Sequence, residues 1–332
     1  MSNGLVSLYK KYEDYFPIGA AVNPQSLKIH RDLLINQFNS LTSENHMKFE
    51  ALQPEKGVFN FTVADELTAF AKEHNKLVRG HTLVWHNQNP AWLFQDDDGN
   101  RVNRDTLLAR LKEHAETVMQ RYKDTVYCWD VVNEAVEDTG PEVLRQRSPW
   151  LEIIGEDFIE QAFIIAHEAN PDALLFYNDY NESEPAKRDK IYQLVKGLKE
   201  KDVPIHGVGL QAHWNIYGPS IDVIREAIEK YAELGVVLHV TEMDLSMFEF
   251  HDRRTDLTEP TEEMLERQAQ RYEEIFSLFR EYKDVVTNVT LWGAADDMTW
   301  LHNFPVRGRT NWPLLFDMKH NPKPAFDRII KF

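Results

Sequence analysis

The sequence predicts a single-domain (β/α)8 barrel spanning residues 1–332. Three observations predict it. Eight short, β-rich apolar runs alternate with stretches of helical periodicity, the pattern of βα units on a parallel sheet. A length of 332 residues suits such a barrel, which needs about 250 residues plus loops. Each run also closes on polar or aromatic side chains, at the strand end where a barrel carries its chemistry. A doubly wound open sheet is the runner-up, but AAVNPQS, after the first run, lacks the G-x-G-x-x-G that such sheets often carry.

The strand runs are FPIGAAV (16–22), NSLTSEN (39–45), LVRGHTLV (77–84), VYCWDVVNE (126–134), ALLFYNDY (173–180), GVGLQAHW (207–214), VVLHVTEMD (236–244) and VTLWGA (289–294). The second is the least apolar. Helices are expected at 62–75, 105–123, 156–169, 185–200, 219–233 and 262–284. In the first of these, Val63, Leu67 and Phe70 recur at helical spacing; in the second, Leu107, Leu108, Leu111, Ala115, Val118 and Met119 do. Pro185 and Pro219 stand near helix starts, where a missing N–H does little harm. Composition stays even along the chain, with no Pro/Gly/Ser linker, so a separate carbohydrate-binding module is not expected.

Fifty-four acidic against 37 basic residues leave a net charge of −17, which disfavours nucleic acid and anionic membranes as partners. No run approaches the ~18 apolar residues of a membrane span. The opening MSNGLVSLYKKYEDYF has no basic segment, apolar stretch and cleavage site in series, so no signal peptide is read. A lone cysteine, Cys128, makes no intrachain disulfide. The expected location is the cytoplasm. Eight Trp and 12 Tyr offer flat faces on which sugars stack, although aromatics serve equally as core.

The strand ends hold the chemistry. WDVVNE (129–134) reads either as a buried strand closing on a catalytic Asn133–Glu134 pair or as a helix cap with an acidic first turn. HVTEMD (239–244) again ends an apolar strand on a carboxylate, Glu242, and strand alternation puts Asp244 on the same face. Fourth and seventh strands lie across a barrel mouth from each other. Two facing carboxylates are what glycoside hydrolysis requires, one as proton donor and one as nucleophile, provided their environments push their pKa values apart. His81, His86 and His213 invite a metal reading. The spacing of His81 and His86 fits no helical ligand pair or H-E-x-x-H, so neither metal nor cofactor is expected.

Seven segments together resemble glycoside hydrolase family 10, the endo-β-1,4-xylanases built on a (β/α)8 barrel. They are SENHMKFE (43–50), GHTLVWHNQ (80–88), WDVVNEA (129–135), YNDYN (177–181), QAHW (211–214), VTEMD (240–244) and LWGAADDMTW (291–300). The resemblance implies that Glu134 is the acid/base and Glu242 the nucleophile of a retaining enzyme. It implies that Asn133 binds the sugar 2-hydroxyl, and that His213 contacts the nucleophile with Asp244 behind it. Glu44, Asn45 and Lys48 would bind the next sugar on the glycone side. His81, Trp85, Gln211, Trp292 and Trp300 would line the glycone; Asn178 and Tyr180 would face the leaving group. The last motif departs from many relatives, reading AADDMTW, but Asp296 and Trp300 keep their places.

The chain is also similar to the compact intracellular branch of that family, which implies xylan or short xylo-oligosaccharides as substrate and a homodimer as the possible assembly. NFPVRGRTNWPLLFD (303–317) is expected to order a loop over the site or a dimer contact. The rival functions are a sugar-binding barrel without catalysis and a metal-dependent sugar isomerase. An exo-acting or transferring member of the family is a third.

Overall fold

The computed structural model describes residues 5–332; the first four residues, part of the segment that reads as leaderless, lie outside it. Eight parallel strands form a closed barrel: Ile18–Val22, Ser40–Ser43, Leu77–Val84, Val126–Asn133, Leu174–Asp179, Gly207–Leu210, Val237–Ser246 and Val286–Leu291. Each pairs with the next, and the last returns to the first with Val289 opposite Ile18, so the sheet keeps no free edge. The expected (β/α)8 architecture is therefore present.

The six expected helices run Thr62–Glu73, Arg104–Arg121, Phe158–Ala169, Pro185–Glu200, Ile221–Ala232 and Glu262–Glu281. Their starts have local causes. Asn103, Ser220 and Thr261 accept the N–H of Thr106, Val223 and Met264, satisfying donors that a helix start leaves unpaired. Pro185 occupies a first helical turn, while Pro219 stands just outside the Ser220 cap. One stripe of each helix covers the sheet; in Ile221–Ala232 it is Ile224, Ala227, Ile228 and Tyr231.

The structure differs from the sequence reading in three places. The run 207–214 is two strands, because Ala212 adopts φ 58° and breaks the extension; His213–Asn215 then pairs beside Asp244–Ser246. The eighth strand starts at Val286 and not at 289. Its polar Asn288 is buried, donating to the Tyr127 hydroxyl and accepting from Thr290. Between the first two strands lie helices Ser26–Ile29 and Arg31–Gln37, too short for periodicity to reveal, and Pro324–Ile329 ends the chain.

Beneath the catalytic end, the barrel interior is polar. The buried Arg79 guanidinium donates to both Asp130 oxygens, at 2.7 and 3.2 Å, and to His239 Nδ1. Burial alone would raise the Asp130 pKa, but the Arg79 charge and the His81 hydrogen bond pull it down to about 2. Two glycines make room for large neighbours. A Cβ at Gly80 would lie 2.3 Å from the Trp129 ring, and one at Gly209 would lie 2.2 Å from Asn178 Oδ1. No helix among the described residues is long and apolar enough to cross a membrane.

Candidate active site

The strand ends open into a cavity of about 1110 Å³. Glu44, Asn45, Lys48, His81, Trp85, Asn133, Glu134, Tyr180, Gln211, His213, Glu242, Asp244, Trp292 and Trp300 all line it. These are the residues selected from sequence, with one exception. Asn178, expected on the leaving-group side, is fully buried below the cavity. Its amide donates to Glu242 Oε1 at 2.8 Å and to Asn133 Oδ1 at 2.9 Å, while its oxygen accepts from Thr241. It has no polar atom left for a sugar; it positions a carboxylate.

Glu134 is the first residue past the fourth strand, at φ 57°. A non-glycine residue held in this left-handed region costs about 1–3 kcal/mol, so its surroundings must fix it. They do: its N–H donates to the Asn178 carbonyl at 2.9 Å, and Arg145 Nε donates to its carbonyl at 3.1 Å. The turn aims the carboxyl into the cavity, where Trp85 Nε1 donates to Oε2 at 2.7 Å and Gln211 Nε2 to Oε1 at 3.0 Å.

Glu242 lies inside the seventh strand and is buried. His213 Nε2 stands 3.2 Å from its Oε2, and His213 Nδ1 stands 3.1 Å from Asp244 Oδ2. Burial disfavours the imidazolium, but the two carboxylates outweigh it and raise the His213 pKa to about 10. His213 therefore donates from both nitrogens. Burial also pushes the Glu242 pKa up, and the hydrogen bonds from His213 and Asn178, with the electrostatic influence of His81 and His213, bring it below the usual carboxylate value. Trp300 Nε1 donates to Asp244 Oδ2 at 2.8 Å, tying the eighth-strand loop to the same group.

A continuous hydrogen-bond chain links the carboxyl groups. Gln211 donates to both Glu134 and Asn133, and Asn178 donates to both Asn133 and Glu242. On the first and second strand ends, Asn23 donates to Glu44, and Lys48 Nζ donates to Asn45 and Gln88 at 2.9 and 2.8 Å while lying 4.7 Å from the Trp85 ring centroid. Trp292 meets His81 edge to face, and Trp300 stacks on Phe304 at 4.8 Å. These rings make the walls of the cavity.

Sequence reasoning missed one network and one rim. Arg145 donates to the Tyr180 hydroxyl, and Tyr180, Lys187 and Arg145 converge on Asp138. Asp138 and Arg145 belong to the loop after the fourth strand, where no periodicity marks them. Phe250 and Phe304 reach the rim from the two last loops with ring centroids 5.8 Å apart. Phe304 falls within the 303–317 segment, which does reach the cavity; its inner part is a latch. Asn311 there accepts from the Met247 N–H and donates to Ser246, both next to the seventh strand's end.

Residues 7–332 match the sequence profile of glycosyl hydrolase family 10. The chain is 62% identical to an endo-1,4-β-xylanase of Geobacillus stearothermophilus over 331 residues, covering 99% of each. It is 55% identical to endo-1,4-β-xylanase B of Paenibacillus barcinonensis, again over 99% of each. Its backbone superposes on xylanase XynB from Paenibacillus barcinonensis, complexed with a conduramine derivative, with a TM-score of 0.97 over 99% of each chain. A mutant structure in complex with xylotriose, 53% identical, also gives 0.97, over 99% of this chain and 100% of that one.

Proposed function

The chain belongs to glycosyl hydrolase family 10 and is an endo-1,4-β-xylanase, and from that premise we propose that it cleaves its substrate by double displacement, with Glu134 as acid/base and Glu242 as nucleophile. The observation that carries this reading is the contrast between the two carboxyl environments. Glu242 is buried against an imidazolium and an amide donor, which favour the ionised form a nucleophile needs. Glu134 faces only neutral donors, Trp85 and Gln211, on a turn that presents it to the cavity.

In the first step Glu134 gives its proton to the interglycosidic oxygen as Glu242 attacks the anomeric carbon. The ester formed carries no charge. Glu134, now a carboxylate, takes a proton from the water that hydrolyses the ester, and configuration is retained. Asn133 is aimed at the 2-hydroxyl, and Lys48, Asn45 and Glu44 at the next sugar outward. Trp292 and Trp300 form the wall that suits xylose, which lacks the hydroxymethyl arm of glucose. The whole chain works as one catalytic domain.

The finer reading is that short xylo-oligosaccharides are cut inside the cell, by a homodimer. Its support is the resemblance of the strand-end motifs to the compact intracellular branch of the family and, for short chains, the aromatic rim of Phe250 and Phe304. Product profiles from xylotriose and longer oligomers, set against polymeric xylan, test the substrate; equal efficiency on both removes the preference for short chains. Light scattering in solution tests the dimer.

Replacing the two glutamates tests the mechanism. Glu242→Ala abolishes turnover but still binds xylotriose by calorimetry. Glu134→Ala loses far more activity on xylo-oligosaccharides than on activated aryl xylosides, because only the former need a proton on the leaving group. Equal losses on both substrates would show that Glu134 is not the acid. Proton NMR of the first product anomer checks retention, for which the carboxyl groups must lie about 5–5.5 Å apart.

A further inference from the structure

Away from the catalytic cavity, three side chains from distant parts of the sequence converge. His30 separates the two short helices after the first strand. Asp297 lies in the one-turn helix Asp296–Met298 after the eighth strand, and His320 in the loop before the C-terminal helix. His30 Nε2 stands 2.8 Å from Asp297 Oδ1, and His320 Nε2 stands 3.1 Å from Asp297 Oδ2. The three ligand atoms lie within 4.8 Å of one another, and the two imidazoles meet edge to face at 4.7 Å.

We propose that His30, Asp297 and His320 form a binding site for a borderline divalent cation of the zinc class. Two imidazole nitrogens and one carboxylate oxygen are a donor set that such ions favour over magnesium or calcium. Bonds of about 2.0–2.2 Å in a tetrahedral arrangement put ligand atoms somewhat over 3 Å apart; the two imidazoles now face different oxygens of Asp297, at 2.8 and 3.1 Å, so binding needs only a small opening of the cluster and a turn of the carboxylate that offers one oxygen to the ion. The His30 side chain is fully buried, whereas Asp297 and His320 are 24% and 33% exposed. The fourth position therefore faces solvent, where a water completes the shell.

No catalytic step uses these residues, and the site has a structural consequence. It joins the loop after the first strand, the loop after the last strand and the C-terminal segment across the seam where the barrel closes. Asp296, next to Asp297, is bonded to Lys323 at 2.9 Å, and the same loop continues to Trp300. A bound ion holds the base of the loop that roofs Asp244 and His213. Its affinity is bounded, because each ring moves its proton to Nδ1 when Nε2 binds. His30 Nδ1 is buried with no partner, and such a missing partner costs about 10–100-fold in affinity.

The test is calorimetric titration of the full chain, without a polyhistidine tag and after dialysis against chelator, with zinc chloride. The expected result is one equivalent bound. His320→Ala, a change on an exposed loop, weakens that binding at least tenfold, and Asp297→Asn does the same while preserving shape. His251→Ala, at an exposed histidine outside the cluster, leaves it unchanged. Zinc raises the Tm of the unmodified chain and not that of His320→Ala. The proposal is overturned by the absence of saturable 1:1 binding up to about millimolar zinc, or by binding that survives both substitutions. An anomalous peak elsewhere in zinc-soaked crystals overturns it equally.

Discussion

His213 carries the most informative single perturbation, because it touches both Glu242, the proposed nucleophile, and Asp244 behind it. Its pKa rises from the ordinary 6.5 to about 10 through Asp244 and Glu242, against the burial that opposes it. At about 1.36 kcal/mol per pKa unit, the bridge has a ceiling of about 4 kcal/mol at pH 7. The side chain is 18% exposed to the water-filled cavity, so screening reduces this to about 2–3 kcal/mol. Since the folded-state pKa is raised, the stabilisation is complete below pH 6.5, declines above it and is gone beyond about 10. In His213→Ala, thermal unfolding at pH 7 should show the deficit, and the gap from the unmodified chain should shrink as pH approaches 10. Activity adds a second readout. Without the imidazolium, the chief hydrogen-bond donor holding Glu242 below its usual pKa is gone. The acidic limb of kcat/KM then moves to higher pH, and kcat falls about 10²–10³-fold, the loss expected for one donor aimed at a reacting oxyanion or carboxylate. An acidic limb that stays in place with kcat within fivefold of the original would refute this account of Glu242.

Two further substitutions probe the support beneath the carboxylates. Asn178→Ala removes a donor to Glu242 without opening the cavity, so kcat should fall about 10–100-fold with KM little changed; a rise in KM alone in steady-state assays would return Asn178 to the sugar-binding set. Gly209→Ala places a methyl group where Asn178 Oδ1 sits, 2.2 Å away. It should cost about 1–3 kcal/mol in denaturant unfolding and lower kcat along with Asn178→Ala, and a fully active, equally stable variant would contradict the packing argument.

The fold was legible because a parallel barrel strand is buried on both faces and ends at the catalytic rim. LVRGHTLV and WDVVNE show both features in one short run, and strands formed there at Leu77–Val84 and Val126–Asn133. Polar strand-end residues were legible as a group for the same reason. Which way each one points was not. Asn178 sits at a strand end like Asn133, yet it points under the cavity and not into it, a distinction set by register and by the space left at Gly209. The break at Ala212 had no sequence signal, since alanine carries no mark of a left-handed backbone. Asp138, Arg145 and Lys187 were invisible for another reason: the loop and helix that carry them meet only in three dimensions. The same holds for His30, Asp297 and His320, whose separation along the chain hides any ligand spacing.

The charges of the cavity follow from the reaction it serves. The transition state of glycosidic cleavage gathers positive charge on the sugar ring, so a mouth lined by Glu44, Glu134, Glu242 and Asp244 is complementary to it. Four close carboxyl groups would otherwise repel one another and take up protons. The fold counters this with cations placed beside the carboxylates and off the path of the developing charge. His213 lies between Glu242 and Asp244, and Lys48 stands beside Asn45 just past the second strand. The Lys48 ammonium is itself lowered in pKa by burial and held up by Glu242, Glu44 and Glu134. Deeper down, Arg79 neutralises Asp130, so the interior beneath the site adds no unpaired negative charge. His81 bridges the two levels: its Nδ1 stands 2.9 Å from Asp130 and its ring lines the cavity. A cation bonded directly to Glu134 would stabilise its carboxylate and draw off the proton that a general acid must hold, and the groups that do donate to that carboxyl, Trp85 and Gln211, are neutral.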